Sequence, residues 1–110
     1  MPGSYVYTPR TMLAAIGKEL MRCENIFKNE EDPAMSLQYG KLHIALRVLS
    51  MAIVDRPGMA MVDETTAKLV AKLFPSEEFI SYIELQTVRE FVTSVRASGI
   101  SFSQHSPTAP

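Results

Sequence analysis

Apolar residues recur every three or four positions in the first third of the chain, which is the spacing of one face of an α-helix. This stripe runs from Met12 to Phe27, and charged and amide side chains fill the opposite side. Thr8 and Pro9 precede it and suit the N-cap and the first helical position. The pattern predicts an amphipathic helix over residues 11–29.

A second helix is predicted from Pro33 to about Asp55, because Asp32 can cap it and proline suits its first position. Its second half is apolar on almost every side between Leu42 and Val54. A helix without a broad polar face is normally surrounded by other helices or by a partner chain. We therefore expect this helix to be the central element of the fold.

Turns divide the rest of the chain into two more predicted helices. One spans residues 64–74, and the other begins after Ser76 and ends at about Ser98, where Gly99 suits the position just beyond a helix. The apolar residues of the last helix keep a period near 3.6, although many are β-branched. Residues 100–110 contain Ser and Pro and no formal charge at neutral pH, so we expect a flexible tail.

These elements predict an all-α protein with a single helical domain over residues 1–99 and a flexible tail over 100–110. A length of 110 residues is typical of one domain rather than two. Four helices with short connections are typical of a small four-helix bundle, here built around the apolar second helix.

Charge and cysteine content narrow the classes of function. Eleven basic against twelve acidic side chains give a formal net charge of −1, which argues against a dedicated nucleic-acid-binding protein. Cys23 has no second cysteine to pair with, which favours a reducing compartment. No signal peptide and no run long and apolar enough to cross a membrane is visible, so we expect a cytoplasmic protein.

A polar line on the second helix is the strongest candidate for ligand binding. Tyr39, His43, Arg47 and Ser50 follow one another at steps of four, four and three, which aligns them along a helix. Such a line could orient an anionic ligand, or it could be a solvent-facing strip or a seam between subunits. The latter interpretations are favoured, because local spacing ties no nucleophile or carboxylate to the group.

Motifs for catalysis, metal binding or cofactor binding are missing. Neither His43 nor His105 follows a Glu at the spacing of a di-metal bundle, Cys23 lies on the apolar stripe, and no glycine spacing matches a phosphate loop. We therefore expect no catalytic residue, no metal and no cofactor. A DNA-binding role for the last two helices is a weaker alternative, since the acidic pair Glu77-Glu78 would repel phosphates.

Methionine marks the predicted contact surface. Seven of the 110 residues are Met, and flexible thioethers suit adaptable binding surfaces as well as gaps in a small core. Apolar residues at the end of the second helix and in the following turn have few neighbours to cover them. The predicted interaction surface comprises Met51, Ile53, Val54, Met59, Met61 and Val62.

The resulting hypothesis is a non-catalytic protein-interaction domain, either an accessory subunit or an inhibitor that covers the surface of a partner protein. We expect the chain to form a homodimer through the same surface, because a two-fold dimer is the commonest symmetric assembly. The alternative from another class is a small enzyme or anion-binding protein that uses the polar line. Enzymatic activity is not excluded, but the missing catalytic motifs argue against it.

Overall fold

The computed structural model describes residues 9–54 and 63–104. Within these ranges the chain forms five α-helices and no strand, which confirms the all-α class. The helices are α1 (Pro9–Asn29), α2 (Pro33–Val54), α3 (Glu64–Leu73), α4 (Glu77–Ile80) and α5 (Gln86–Gln104). The predicted bundle of four helices is thus replaced by an arrangement of five.

The helices associate mainly as two pairs, α1 with α2 and α3 with α5. One core joins the pairs, and it consists of apolar residues that are buried on all five helices and in the connections around α4. Its buried members are Met12, Ile16, Cys23, Leu42, Ala45, Leu46, Leu49, Ile53, Ala67, Val70, Phe74, Phe79, Ile80, Ile83, Val88, Phe91, Val92 and Val95.

The prediction that α2 is enclosed as the central element is not confirmed. Leu42, Leu46 and Leu49 are buried on its inner side, whereas Ile44 and Met51 are exposed. Because α2 packs mainly against α1, one side of the helix is left open to solvent among the described residues.

The helix predicted beyond Ser76 is broken in two. The Ser76 hydroxyl caps α4 as expected and accepts a hydrogen bond from the Phe79 amide at 3.1 Å. The chain then leaves the helix, and α5 begins only after Leu85. The Leu85 amide donates to the carboxylate of Glu19 on α1 at 3.0 Å. This partner lies far away in the sequence, so local periodicity contains no sign of it.

Helix α5 continues through Gly99 instead of ending there. A β-carbon at Gly99 would overlap the carbonyl oxygen of Ala67 and would lie 3.1 Å from the β-carbon of Ala71. The glycine therefore permits α3 and α5 to approach closely, and it does not act as a helix stop. Residues 100–104 of the predicted tail belong to α5, and 105–110 lie outside the described residues.

Two arginines of α5 donate hydrogen bonds to backbone carbonyl groups in the connections on either side of α4. Arg96 donates to the carbonyl oxygens of the two residues after α3, at 2.6 and 3.0 Å. Arg89 donates to the carbonyl oxygens of Ile83 and Glu84, at 3.0 and 3.1 Å. Both guanidinium groups thereby stabilise the irregular connections around α4.

Candidate functional site

One side of α2 carries large apolar side chains that the described chain leaves uncovered. Leu37, Ile44 and Met51 are spaced by seven residues and are 54%, 62% and 62% exposed. Phe27 of α1 is also exposed, and its ring lies over Gly40, where a β-carbon would approach it to 2.9 Å. We call Phe27, Leu37, Ile44 and Met51 the α2 outer face.

The outer face exists because α2 is apolar in two different phases. Ile44 and Met51 each follow a buried leucine, Leu42 and Leu49, by two residues. At about 100° per residue, a step of two places side chains on nearly opposite sides of a helix. The inner leucines enter the core, and the second apolar set consequently faces outward.

Two grooves flank Ile44 on the surface. The groove between α1 and α2 has a volume of about 390 Å³ and is lined by Glu24, Phe27, Lys28, Leu37, Gly40, Lys41, His43 and Ile44. The groove between α2, α3 and α4 has a volume of about 560 Å³ and is lined by Gln38, Lys41, Ile44, Ala45, Lys72, Leu73, Pro75, Ser76, Glu78, Phe79 and Tyr82. Ile44 therefore forms a ridge between two depressions, and Phe27 and Leu37 line the smaller of them.

Positive charge borders this ridge. Helix α2 contains no Asp or Glu. Within the two described ranges, no carboxylate forms an ion pair with Lys41, Arg47 or Lys72. Lys28 differs, because its ammonium group lies 3.4 Å from the carboxylate of Glu24 one turn earlier. The border of the outer face thus offers cations that have no internal partner in the part described.

The predicted polar line has several different environments. Tyr39 packs edge-on against Tyr82, with ring centroids 5.6 Å apart. His43 lines the groove between α1 and α2, Arg47 is exposed, and the Ser50 hydroxyl donates to the Arg47 carbonyl at 2.8 Å. Tyr39 and Ser50 therefore have internal partners. Arg47 is the most exposed of the four residues, and the other three are half-buried.

The predicted interaction surface is only partly described. Met51 is exposed and belongs to the α2 outer face. Ile53 is fully buried, which corrects its assignment to the surface: it follows Leu49 by one turn and shares the inner side of α2. The Val54 side chain and the residues Met59, Met61 and Val62 lie outside the described part.

The sequence pattern did not identify Phe27, Leu37 and Ile44 as exposed residues. The available signal was the seven-residue spacing of Leu37, Ile44 and Met51, which is out of phase with the inner leucines. It was hidden because both sets are apolar, and only packing shows which set is covered.

A buried ion pair connects α1 to the segment between α4 and α5. Glu19 is only 1% exposed and accepts a hydrogen bond from the Arg22 guanidinium at 2.9 Å. Arg22 also donates to the Tyr82 carbonyl at 2.6 Å. Burial acts to raise the pKa of Glu19, but hydrogen bonds from Arg22, Leu85 and Glu84 and the charge of Arg22 outweigh it and lower that pKa.

Cys23 belongs to the same cluster. Its Sγ lies 3.9 Å from the Glu19 carboxylate. Burial, together with the negative charge of Glu19, raises the pKa of the Cys23 thiol to about 11. The thiol is therefore protonated at neutral pH, and a protonated, buried thiol is a poor nucleophile.

Every buried polar atom of this cluster has a hydrogen-bond partner, as has every other buried side-chain nitrogen and oxygen of the described residues. The arrangement fastens α1 to the chain that precedes α5. It has the character of a structural connection, because its hydrogen bonds are made within the chain.

Within residues 9–54 and 63–104, no helix is long and apolar enough to cross a membrane. Across the same ranges, no three His, Cys, Asp or Glu side chains come together in a way that could hold a metal ion. No protein-family model matches the chain, and no curated protein and no solved structure is significantly similar to it. The described residues show a small all-α fold in which α2 carries exposed apolar side chains.

Proposed function

We propose that this protein is a non-catalytic interaction domain that binds another protein through the α2 outer face. The supporting observation is the row formed by Leu37, Ile44 and Met51, each more than half exposed. Single exposed apolar residues are ordinary on protein surfaces, whereas several on one side of a helix, with grooves beside the central one, are typical of an interface. Bound in this way, the domain would act as an accessory subunit or as an inhibitor that covers its partner.

The use of the polar side chains supports an interaction domain over an enzyme. Glu19, Arg22 and Cys23 hold one another in the interior, so they offer no free acid, base or nucleophile. Arg89 and Arg96 bind backbone carbonyls, and this also disfavours DNA binding, which needs such groups for phosphates.

The proposal also includes an oligomeric state and a cellular location. A homodimer is one way to cover the α2 outer face, and a different protein is the other. Sedimentation of the free chain separates them, because a single species near 12.3 kDa at all micromolar concentrations excludes the homodimer. A cytoplasmic location is supported by the lone, protonated Cys23, which suits a reducing compartment.

The direct test replaces the middle of the ridge with a charge. Tagged wild-type chain and Ile44→Asp are used to capture partners from the native source, and the captured protein is purified and titrated against both. We expect the wild type to bind and Ile44→Asp to lose binding, because a carboxylate would be desolvated against apolar contacts.

Met21→Asp is the matched control. Met21 lies on α1, is 73% exposed and lines neither groove beside Ile44, so its variant is expected to bind like the wild type. Both variants should retain wild-type stability within about 0.5 kcal/mol, since both sites are solvent-exposed. Retained binding in Ile44→Asp, or equal loss in Met21→Asp, would contradict the proposal.

A further inference from the structure

We propose that the partner of the α2 outer face presents an amphipathic helix whose apolar side chains are bordered by Asp and Glu. This inference rests on the proposed function and specifies the chemistry of the partner. Three observations support it: the shape of the ridge, the position of its cations, and the charge that a second copy would bring.

The shape fits a helix. Leu37 and Met51 are fourteen residues apart on α2, which is about 21 Å along the helix axis. Grooves of about 390 and 560 Å³ lie on the two sides of Ile44, and Leu37 lines the smaller one. A row of side chains between two depressions is the surface into which the ridges and grooves of another helix pack. A flat lipid surface would leave such grooves unfilled.

The cations occupy both edges of the row. Lys41 precedes Ile44 by three residues and Arg47 follows it by three, so the two lie about 60° to either side of Ile44 around the helix. The larger groove is lined by Lys41 on α2 and by Lys72 on α3. A helix lying in register on Ile44 would therefore meet Lys41 and Lys72 along one border and Arg47 along the other. The carboxylates that line the grooves are fewer, namely Glu78 and Glu24, and Glu24 is paired with Lys28.

A second copy of this chain is poorly suited to the face. Two copies packed through this face would bring two copies each of Lys41, Arg47 and Lys72. Against these cations the grooves offer Glu78 and Glu24, and Glu24 already pairs with Lys28 at 3.4 Å. Like charges in an interface oppose association. An acid-bordered partner helix supplies the missing counter-charges, and so it is the occupant that the surface favours.

The test uses two synthetic amphipathic helical peptides, about 18 residues long so that each can form a helix. Both carry leucine on one face, and they differ only in the bordering residues, which are Glu in one peptide and Lys in the other. Each is titrated into the full chain labelled with ¹⁵N, and amide shifts report the location and affinity of binding. We expect the Glu peptide to shift signals around Ile44 and to bind about ten-fold more tightly than the Lys peptide.

Charge reversal provides the decisive variant. The double variant Lys41→Glu/Arg47→Glu should invert the order, so that the Lys peptide binds more tightly. The matched control, Lys18→Glu on α1, lies outside both grooves and should leave the order unchanged. Inversion in the double variant combined with no inversion in the control supports the proposal.

Several outcomes would overturn it. Equal affinity for the two peptides, preference for the Lys peptide, or no shift near Ile44 would refute an acid-bordered partner, while the capture experiment with Ile44→Asp would still decide the proposed function. A concentration-dependent dimer that Ile44→Asp abolishes would assign the face to a second copy. Binding to phosphatidylserine-containing vesicles that Ile44→Asp abolishes, without peptide binding, would assign it to a membrane surface.

Discussion

Replacing Glu19 by Gln tests how strongly the buried ion pair fastens α1 to the start of α5. Glutamine keeps the size of the side chain and an acceptor for the Leu85 amide, but it removes the negative charge. Hydrogen bonds to a charged group contribute about 1.5–3 kcal/mol, against about 0.5–1.5 for neutral pairs.

The two shortest of the bonds that Glu19 accepts come from Arg22 at 2.9 Å and from Leu85 at 3.0 Å, and we expect these two to dominate the loss. The expected loss in the free energy of unfolding is therefore about 2–3 kcal/mol. It stays below the roughly 3–5 kcal/mol of a fully buried broken pair, because the Arg22 side chain is 24% exposed and can reach water.

Urea denaturation followed by circular dichroism at neutral pH measures this loss directly. Glu24→Gln is the matched control, because Glu24 lies on the same helix and forms an exposed pair with Lys28 at 3.4 Å. Such exposed pairs contribute less than about 1 kcal/mol. If the two variants differ by less than about 1 kcal/mol, the reasoning about the buried pair is wrong.

The same carboxyl has a definite pH signature. Its pKa in the folded chain is lowered from 4.5, so the folded state binds fewer protons than the unfolded state around this pH. The stability that Glu19 contributes is therefore fully present above about pH 4.5 and is lost as the pH falls through the lowered pKa. The difference between wild type and Glu19→Gln should shrink in acid. A difference that stays constant throughout the acid range would refute this explanation.

Three further expectations concern packing and reactivity. Gly99→Ala should destabilise the chain by about 1–3 kcal/mol in thermal melts, because its β-carbon would overlap the Ala67 carbonyl. Gly17→Ala should stabilise it by about 0.5–1 kcal/mol, because a β-carbon at Gly17 would meet nothing within 4 Å. If both variants change stability in the same direction, the close approach at Gly99 is contradicted. Cys23 is buried, so thiol reagents should label it only when the fold opens, and labelling as fast as in an unfolded peptide would refute its burial. Leu46→Ala should cost about 2–5 kcal/mol in urea denaturation, because Leu46 is fully buried, and a loss below about 1 kcal/mol would contradict this.

Local sequence information was sufficient for the first three helices. The predicted ranges of α1, α2 and α3 agree with the structure to within two residues at every end. Residues next to each of these helices in the chain indicate where it begins. Pro33 is the first residue of α2, and Asp63 caps α3 by accepting a hydrogen bond from the Thr66 amide at 2.8 Å. Capping and periodicity are local properties, and a single sequence contains them.

The break before α5 and the role of Gly99 could not be predicted in the same way. The segment around Tyr82 leaves the helix where Glu19 and Arg22, both on α1, bind its backbone. In the sequence Gly99 looks like the residue that ends a helix. In the structure it lies against α3, where the Ala67 carbonyl leaves no room for a β-carbon. Both features arise from contacts between distant parts of the chain, which periodicity does not represent.

The exposure of the predicted interaction surface could be predicted only in part. Met51, which the apolar surplus of α2 placed on that surface, is exposed, and its contact with a partner stays a prediction. The surface was expected at the end of the helix, whereas Ile44 in the middle is just as exposed and Ile53 near the end is buried. The packing of α1 against α2 decides which apolar residues of α2 are buried and which are exposed. This packing depends on tertiary contacts, which the local sequence does not show.

The two apolar sides of α2 assign stability and the proposed binding to different residues of one helix. Leu42, Leu46 and Leu49 fix the helix in the core, and they thereby hold Leu37, Ile44 and Met51 in a constant row. A row held on a rigid helix loses little conformational entropy when it is covered, which favours binding. Leu46→Ala should therefore lower stability. Ile44→Asp, two residues away, should remove binding and leave stability nearly unchanged.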